Sequence, residues 1–436
     1  MLAKDKEIIF KLIRDHFDNN TISEDFLSGD TNIPVSGKVY GSQEVVNLVD
    51  AALEFWLTTG RYNEIFEEKI SSFLNIPYVL TTNSGSSANL LAVSALTSKQ
   101  LGEERLKSGD EVITVAAGFP TTVNPIIQNG LIPVFCDIEI GTYNIDVSHL
   151  EEHITEKTKA IVLAHSLGNP FNIETITTLA EKYNLWIVED CCDAFGSTYK
   201  DLKVGSFGDI GTLSFYPAHH ITTGEGGAVF TKSAKLKKII ESIRDWGRDC
   251  WCAPGTDNTC KKRFGWQLGE LPEGYDHKYI YSHLGYNLKM TDLQASVGVA
   301  QMNRLEDFIL QRKKNFNYLK NGLAHLAEFF ILPEATQYSD PAWFGFPISI
   351  RPNTGMSRKK IVDYLNGKKI ATRYLFGGNL TKQPYMSQYQ YKIATHLDNT
   401  DFVMNQTFWI GVYPAINKQM LDYVIEMMDN FIRCKV

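Results

Sequence analysis

Short apolar runs alternate with amphipathic stretches through the middle of the chain. "YVLTTN" (78–83), "DEVITVA" (110–116), "IPVFCDI" (132–138), "AIVLAH" (160–165) and "LWIVED" (185–190) predict strands. Helical stretches or loops separate them, as in "IETITTLAEKYN" (173–184), and a further helix opens near Ser86. This is the pattern of parallel βαβ units. "IGTLSFY" and "GAVFT" predict two more strands on either side of a loop. From Thr291 the pattern changes to one long helical stretch, 291–323, which Thr291 or Asp292 can cap. A strand at 343–350, a capped helix at 357–368 and a closing helix at 416–434 follow. At the other end, Ile8, Ile9, Leu12, Ile13 and Phe17 form one face of a helix. The fold class expected is α/β, with a mostly parallel central sheet and a smaller C-terminal α+β domain. The divisions are a helical segment 1–40, a large domain 41–300 and a small domain 301–436.

Length and composition narrow the class. A chain of 436 residues predicts about two to three domains. Its 43 basic and 50 acidic residues leave a net charge of −7, which argues against a nucleic-acid partner. No stretch approaches the roughly 18 apolar residues of a membrane span. The N-terminal apolar run is broken by Lys11, Arg14 and Asp15, unlike a signal peptide, so a cytoplasmic location is expected. Seven cysteines, an odd count, argue against a disulfide framework. Cys136 and Cys434 fit buried thiols. The segment 247–279, with its Gly, Pro, Asp and Cys, predicts a long irregular loop, and such loops are usually functional.

Two stretches carry candidate chemistry. "TTNSGSSANLLAVSAL" (81–96) leaves a strand and opens a helix, where backbone N–H groups bind phosphate. Gly85 allows close approach, and Ser86 and Ser87 add hydroxyl donors. "LWIVEDCCDAFGS" ends a strand on an acid, so Asp190 falls at the usual cleft of an open α/β sheet. There it can pair with a protonated pyridine nitrogen. "SGSSANLLA", "AAGFPTTVNPI", "FCDIEIGTYNID", "VEDCCDAFGS", "SFYPAHHITTGEGGAVFT" and "LGYNLKMTDLQASVGVAQMNRL" occur in this order. Together they resemble the sugar-nucleotide aminotransferase family, of aspartate-aminotransferase fold, from about residue 40 to the C-terminus. The resemblance implies that Asp190 pairs with the pyridine nitrogen of a vitamin B6 cofactor and Phe119 stacks on its ring. Gly85, Ser86 and Ser214 would hold its phosphate, and Asn287 would reach a phosphate across a homodimer interface.

The departure from that family is His219, which stands where the family has its cofactor lysine. Lys200, Lys203 and Lys232 are out of register. Without the covalent anchor the resemblance implies pyridoxamine phosphate (the amine partner of pyridoxal phosphate, PLP), held noncovalently. His219 then serves as the base, a task imidazole suits near neutrality. His220 reads as structural.

Cys192, Cys250, Cys252 and Cys260 form a second constellation. Four thiolates can hold zinc or an iron–sulfur cluster. The spacing has neither paired CxxC units nor a common ferredoxin pattern, and free or redox-active cysteines remain the other reading. Together with His219, the set resembles the family's lysine-free sugar 3-dehydrases, whose four cysteines bind a 2Fe–2S cluster. That likeness implies removal of the C3 hydroxyl of CDP-4-keto-6-deoxyglucose, for 3,6-dideoxyhexoses of surface polysaccharide. It also implies an NADH-dependent flavin iron–sulfur reductase as electron donor. Arg248, Lys261, Lys262 and Arg263 offer either a docking surface for it or a solvated loop. Trp246, Trp251, Phe264 and Trp266 would shield a cluster from water. Two other readings stay open: a cluster-free, glutamate-dependent GDP-4-keto-6-deoxymannose 3-dehydratase, and a non-enzymatic zinc-stabilised scaffold.

Overall fold

The computed structural model describes residues 3–19 and 26–433. Its large sheet has eight strands. In spatial order they are Tyr78–Thr82, Gly227–Thr231, Ile210–Ser214, Trp186–Asp190, Thr158–Ala164, Glu111–Val115, Ile132–Cys136 and Lys392–Ile393. Gly227–Thr231 runs antiparallel to both neighbours, and the remaining pairs are parallel. The apolar runs that predicted strands are buried on both faces, as parallel sheets require. Alternate residues serve opposite cores. Val112, Ala160, Val162 and Val188 pack with Leu91 and Ile239 on one side. Ile113, Ile161, Leu163 and Ile187 pack with Phe66 and Phe195 on the other.

The long C-terminal helical pattern is two helices, Asp292–Met302 and Leu305–Leu323. The physical reason is that they bury different faces. The first brings Gly298 against Phe66, where an added Cβ would lie 2.6 Å from Cζ. The second turns Phe316, Leu319 and Leu323 into the small-domain core. Thr291 caps the first helix in a capping box with Gln294. Asp292 instead accepts the backbone N–H groups of Gly60 and Asn63.

The small domain holds a four-stranded antiparallel sheet, ordered Phe330–Ile331, Gly345–Ile350, Thr407–Gly411, Arg373–Tyr374. Helices Arg358–Gly367 and Lys418–Arg433 belong to the same region, and Ser357 makes no side-chain cap bond. The strand Lys392–Ile393 leaves this region to extend the large sheet. The N-terminal helix, Ala3–Asn19, buries Phe10, but Ile8 and Leu12 of the predicted face are exposed. Cys136 is buried, and Cys434 lies outside the described residues. The segment 247–279 is irregular apart from one turn of 3-10 helix, His277–Tyr279. Among the described residues no helix is long and apolar enough to cross a membrane.

Candidate active site

The parallel strands exit at one edge of the sheet, and their loops enclose a cleft of about 650 Å³. Ser84–Ser86, Ala117–Phe119, Cys192–Asp193, Tyr216, Ala218 and His219 supply its walls. This is where open α/β sheets bind ligands. Gly85, Ser86, Phe119, Asp190, Ser214 and His219 all line it.

Asp190 ends its strand 5% exposed. Its Oδ2 accepts from Asn89 Nδ2 and Thr122 Oγ1, each at 2.7 Å, and Oδ1 accepts the Cys192 backbone N–H. Asn89 is held in turn by Thr212. The carboxylate is thus oriented before any ligand arrives. Gly85 opens the helix Gly85–Leu96, with Ser84 capping the N–H of Ser87. A Cβ on Gly85 would lie 2.4 Å from Ser214 Cβ and 3.1 Å from Cys192 Sγ, so only glycine keeps the cradle open. Phe119 presents an exposed ring over the cleft, edge-on to Phe376.

His219 reaches the cleft from a loop that Arg312 secures. The fully buried guanidinium donates to the carbonyls of Ala218, His219, Trp343 and Phe344, and burial lowers its pKa to about 10. His219 Nδ1 lies 3.4 Å from Asp193 Oδ1, in ion-pair range but without hydrogen-bond alignment. Burial raises the Asp193 carboxyl, and His219 partly offsets that. His220 is buried with Nε2 donating to the Ala342 carbonyl, and burial drives its pKa well down. It is therefore a neutral structural ring. Among the described residues no lysine lines the cleft; Lys200 and Lys203 sit on or beside a small hairpin, and Lys232 bonds Ser206.

Sequence reasoning missed Asn89, Thr122, Asp193 and Arg312. Asp193 follows Asp190 by three residues at the same strand exit, a readable signal. Nothing local marked Arg312, whose partners are distant in the chain.

The four cysteine Sγ atoms do not all lie within 4.8 Å of one another. Cys192 lies in the cleft, where burial and the Asp190 carboxylate push its thiol well up. Cys250, Cys252 and Cys260 face a separate small pocket in the long loop, with His277. Asn287 is exposed, accepts from Lys289 and is not among the residues lining the cleft.

Fold and cleft define a protein of the PLP-dependent aminotransferase type. The residues fit that cofactor: a glycine-only cradle at a helix start, a preoriented carboxylate and an exposed ring. The chain belongs to the DegT/DnrJ/EryC1/StrS aminotransferase family, whose profile matches residues 40–429. It is 60% identical to the lipopolysaccharide biosynthesis protein RfbH of Salmonella typhimurium, over 98% of each chain. It is 51% identical to dTDP-4-dehydro-2,6-dideoxy-D-glucose 3-dehydratase of Saccharopolyspora spinosa, over 99% of this chain and 93% of that one. The structure is similar to E. coli GDP-4-keto-6-deoxy-D-mannose-3-dehydratase with bound hydrated PLP. The TM-score is 0.82 at 28% identity, covering 91% of this chain and 99% of the other. The nucleotides in these names are dTDP and GDP, so the expectation narrows to a sugar-nucleotide enzyme without a CDP assignment.

Proposed function

We propose that this protein removes the C3 hydroxyl of a nucleotide-linked 4-keto-6-deoxyhexose with pyridoxamine phosphate as cofactor. The observation that carries this is His219 at the cleft beside Asp193, with no lysine among the cleft residues. The two 3-dehydratases among the relatives support it. The cofactor supplies an amine for the sugar ketone and an electron-withdrawing ring. Asp190 would hold the pyridine nitrogen protonated, Phe119 would cover the ring, and Gly85, Ser86 and Ser214 would hold the phosphate. His219 accepts a proton in the cleft. Asp193 steadies the resulting imidazolium and occupies the Nδ1 side, leaving Nε2 for proton transfer. Arg373 and Tyr374 line the cleft, where Arg373 would meet the diphosphate. The working unit is a homodimer, with Asn287 completing the partner's phosphate site.

The structural likeness favours the cluster-free form of the reaction, restored by an amino donor such as glutamate. A second reading adds electrons from an NADH-dependent flavin iron–sulfur reductase through a 2Fe–2S centre, with CDP-4-keto-6-deoxyglucose as substrate. The gathering of Cys250, Cys252 and Cys260 in one long loop favours it. The test is anaerobic turnover with pyridoxamine phosphate and the GDP-, dTDP- and CDP-linked 4-keto-6-deoxyhexoses, each with glutamate or with reductase and NADH. A product lighter by one oxygen is expected from at least one sugar; simple transamination of every sugar defeats the proposal. The donor that sustains turnover separates the two readings.

A further inference from the structure

Arg312 is a cation in an unusual place. It stands on the helix Leu305–Leu323, 2% exposed, and its Nη atoms donate to four backbone carbonyls. Nη1 reaches Trp343 and Phe344 at 3.3 and 3.2 Å, and Nη2 reaches Ala218 and His219 at 3.4 and 3.0 Å. Burial works against the ionised form, and Asp193 offsets that only in part. A buried cation is costly, and a well-packed apolar side chain of similar volume is often as stable. Packing alone therefore does not explain the charge.

The four carbonyls belong to two segments. Ala218 and His219 lie in the loop that carries the base of the proposed reaction. Trp343 and Phe344 lead into the strand Gly345–Ile350. That second segment is itself pinned. The Ala342 N–H donates to Ser197 Oγ, which donates to the Gly168 carbonyl, and the Phe344 N–H donates to the Leu167 carbonyl. His220 adds a further tie between the two segments, with Nε2 2.6 Å from the Ala342 carbonyl oxygen. The result shows at the His219 ring. It lies 5.3 Å from the Phe344 ring, tilted by 41°, with Asp193 Oδ1 3.4 Å from Nδ1. Phe344, Asp193 and His219 all line the cleft. A planar guanidinium can grip both segments at once, which an ammonium point charge cannot reproduce.

We propose that Arg312 is a positioning residue for His219. It clamps residues 218–219 to residues 343–344 and so holds the imidazole between Asp193 and Phe344. Arg312 does not itself line the cleft and acts through the backbone it grips. A misplacement of about 1 Å at a reacting group can cost about 10²-fold in rate, so the clamp bears on turnover rather than on ligand affinity. The inference rests on the reading of His219 as the proton-transfer base, and its first test needs no sugar.

The test uses the full-length protein and starts in the His219→Lys background, with pyridoxal phosphate as the probe. The new amine retains the cofactor covalently, and adding Arg312→Met slows that step by at least about tenfold. Pyridoxamine phosphate affinity stays unchanged and monitors the fold of each variant. Turnover is then measured with whichever GDP-, dTDP- or CDP-linked 4-keto-6-deoxyhexose is consumed fastest. Arg312→Met alone lowers kcat by about 10²-fold with little change in KM. In the His219→Gln background the same substitution lowers the residual rate by less than about threefold, because the group it positions is gone. An unslowed covalent step, a weakened pyridoxamine phosphate affinity, or an equal loss of kcat with and without His219 overturns the proposal. If the covalent step slows but no sugar loses its C3 oxygen, the clamp stands and the dehydratase reading falls. If Arg312→Met fails to fold, Arg312→Lys, which keeps the charge without the fork, is measured in its place.

Discussion

His219 Nδ1 lies 3.4 Å from Asp193 Oδ1, and in the proposed reaction His219 is the base. His219→Gln removes proton transfer but keeps the cleft. Turnover should fall by roughly 10²–10⁴-fold, with pyridoxamine phosphate still binding, as measured by steady-state rates and fluorescence titration. His219→Lys places an amine at the family's lysine position and should retain the aldehyde cofactor covalently, visible as new absorbance that survives gel filtration. A colourless protein would put position 219 out of register. Gly85 makes a different demand. Gly85→Ala drives a methyl to 2.4 Å from Ser214 Cβ, an overpacking cost of about 1–3 kcal/mol. Cofactor affinity should drop, while His219→Gln leaves it intact.

At the scale of elements, the strand Trp186–Asp190 serves two purposes with adjacent acids. Asp190 faces the cleft. Glu189 points the other way and ties the following loops to the sheet. It accepts the backbone N–H groups of Gly205, Phe207 and Gly208 and lies 3.1 Å from His165 Nε2. Burial works to raise the Glu189 carboxyl, but His165 and the backbone donors outweigh it, and the net shift is downward. A carboxyl lowered in the fold stabilises the protein above its unfolded pKa, about 4.3, and that contribution is lost as pH falls through the folded value. Glu189→Gln should therefore cost about 3–5 kcal/mol at neutral pH, with the gap to wild type closing in acid. Urea melts of both proteins across pH 3–7 would check this. His165, Glu189 and Cys191 are the one set of three potential metal-binding groups within 4.8 Å among the described residues. The bonds already made by Glu189 mark it as structural.

Seven strands of the large sheet were legible because each run is short, apolar and closed by a turn or helix start; Lys392–Ile393, two residues long and reaching in from the small domain, was not. Nor was the break between Met302 and Leu305, because both helices carry compatible local patterns and only their packing partners differ. The same holds for the N-terminal helix. Its periodicity predicted one apolar face, yet Ile8 and Leu12 stay exposed in the single chain.

For the whole molecule, the segment leading to the exposed Asn287 carries three exposed large side chains, Tyr279, Tyr281 and Leu284, the last 95% exposed. In the proposed homodimer these side chains are covered and Asn287 serves the other subunit's cleft. Asn287→Ala and His219→Gln should each be inactive alone. Mixed subunits should recover about a quarter of wild-type activity, because half the dimers are hybrids with one intact site. Sedimentation velocity would establish the dimer. Recovery failing in a proven hybrid would place the Asn287 function within its own chain.

The sequence by itself determined seven of the eight strands of the large sheet, the Gly85 cradle, Asp190 at a strand end and histidine at 219. These are local facts, written in periodicity, a turn glycine and register within one motif. Only the tertiary structure decided which groups meet. It set Asp193 beside His219, braced that loop with Arg312 from a distant helix, and put Cys192 in the cleft while His277 joined the other three cysteines. Spacing along a chain cannot report such meetings, because an irregular loop of this length can fold back in many ways. Packing and hydrogen bonding choose one of them.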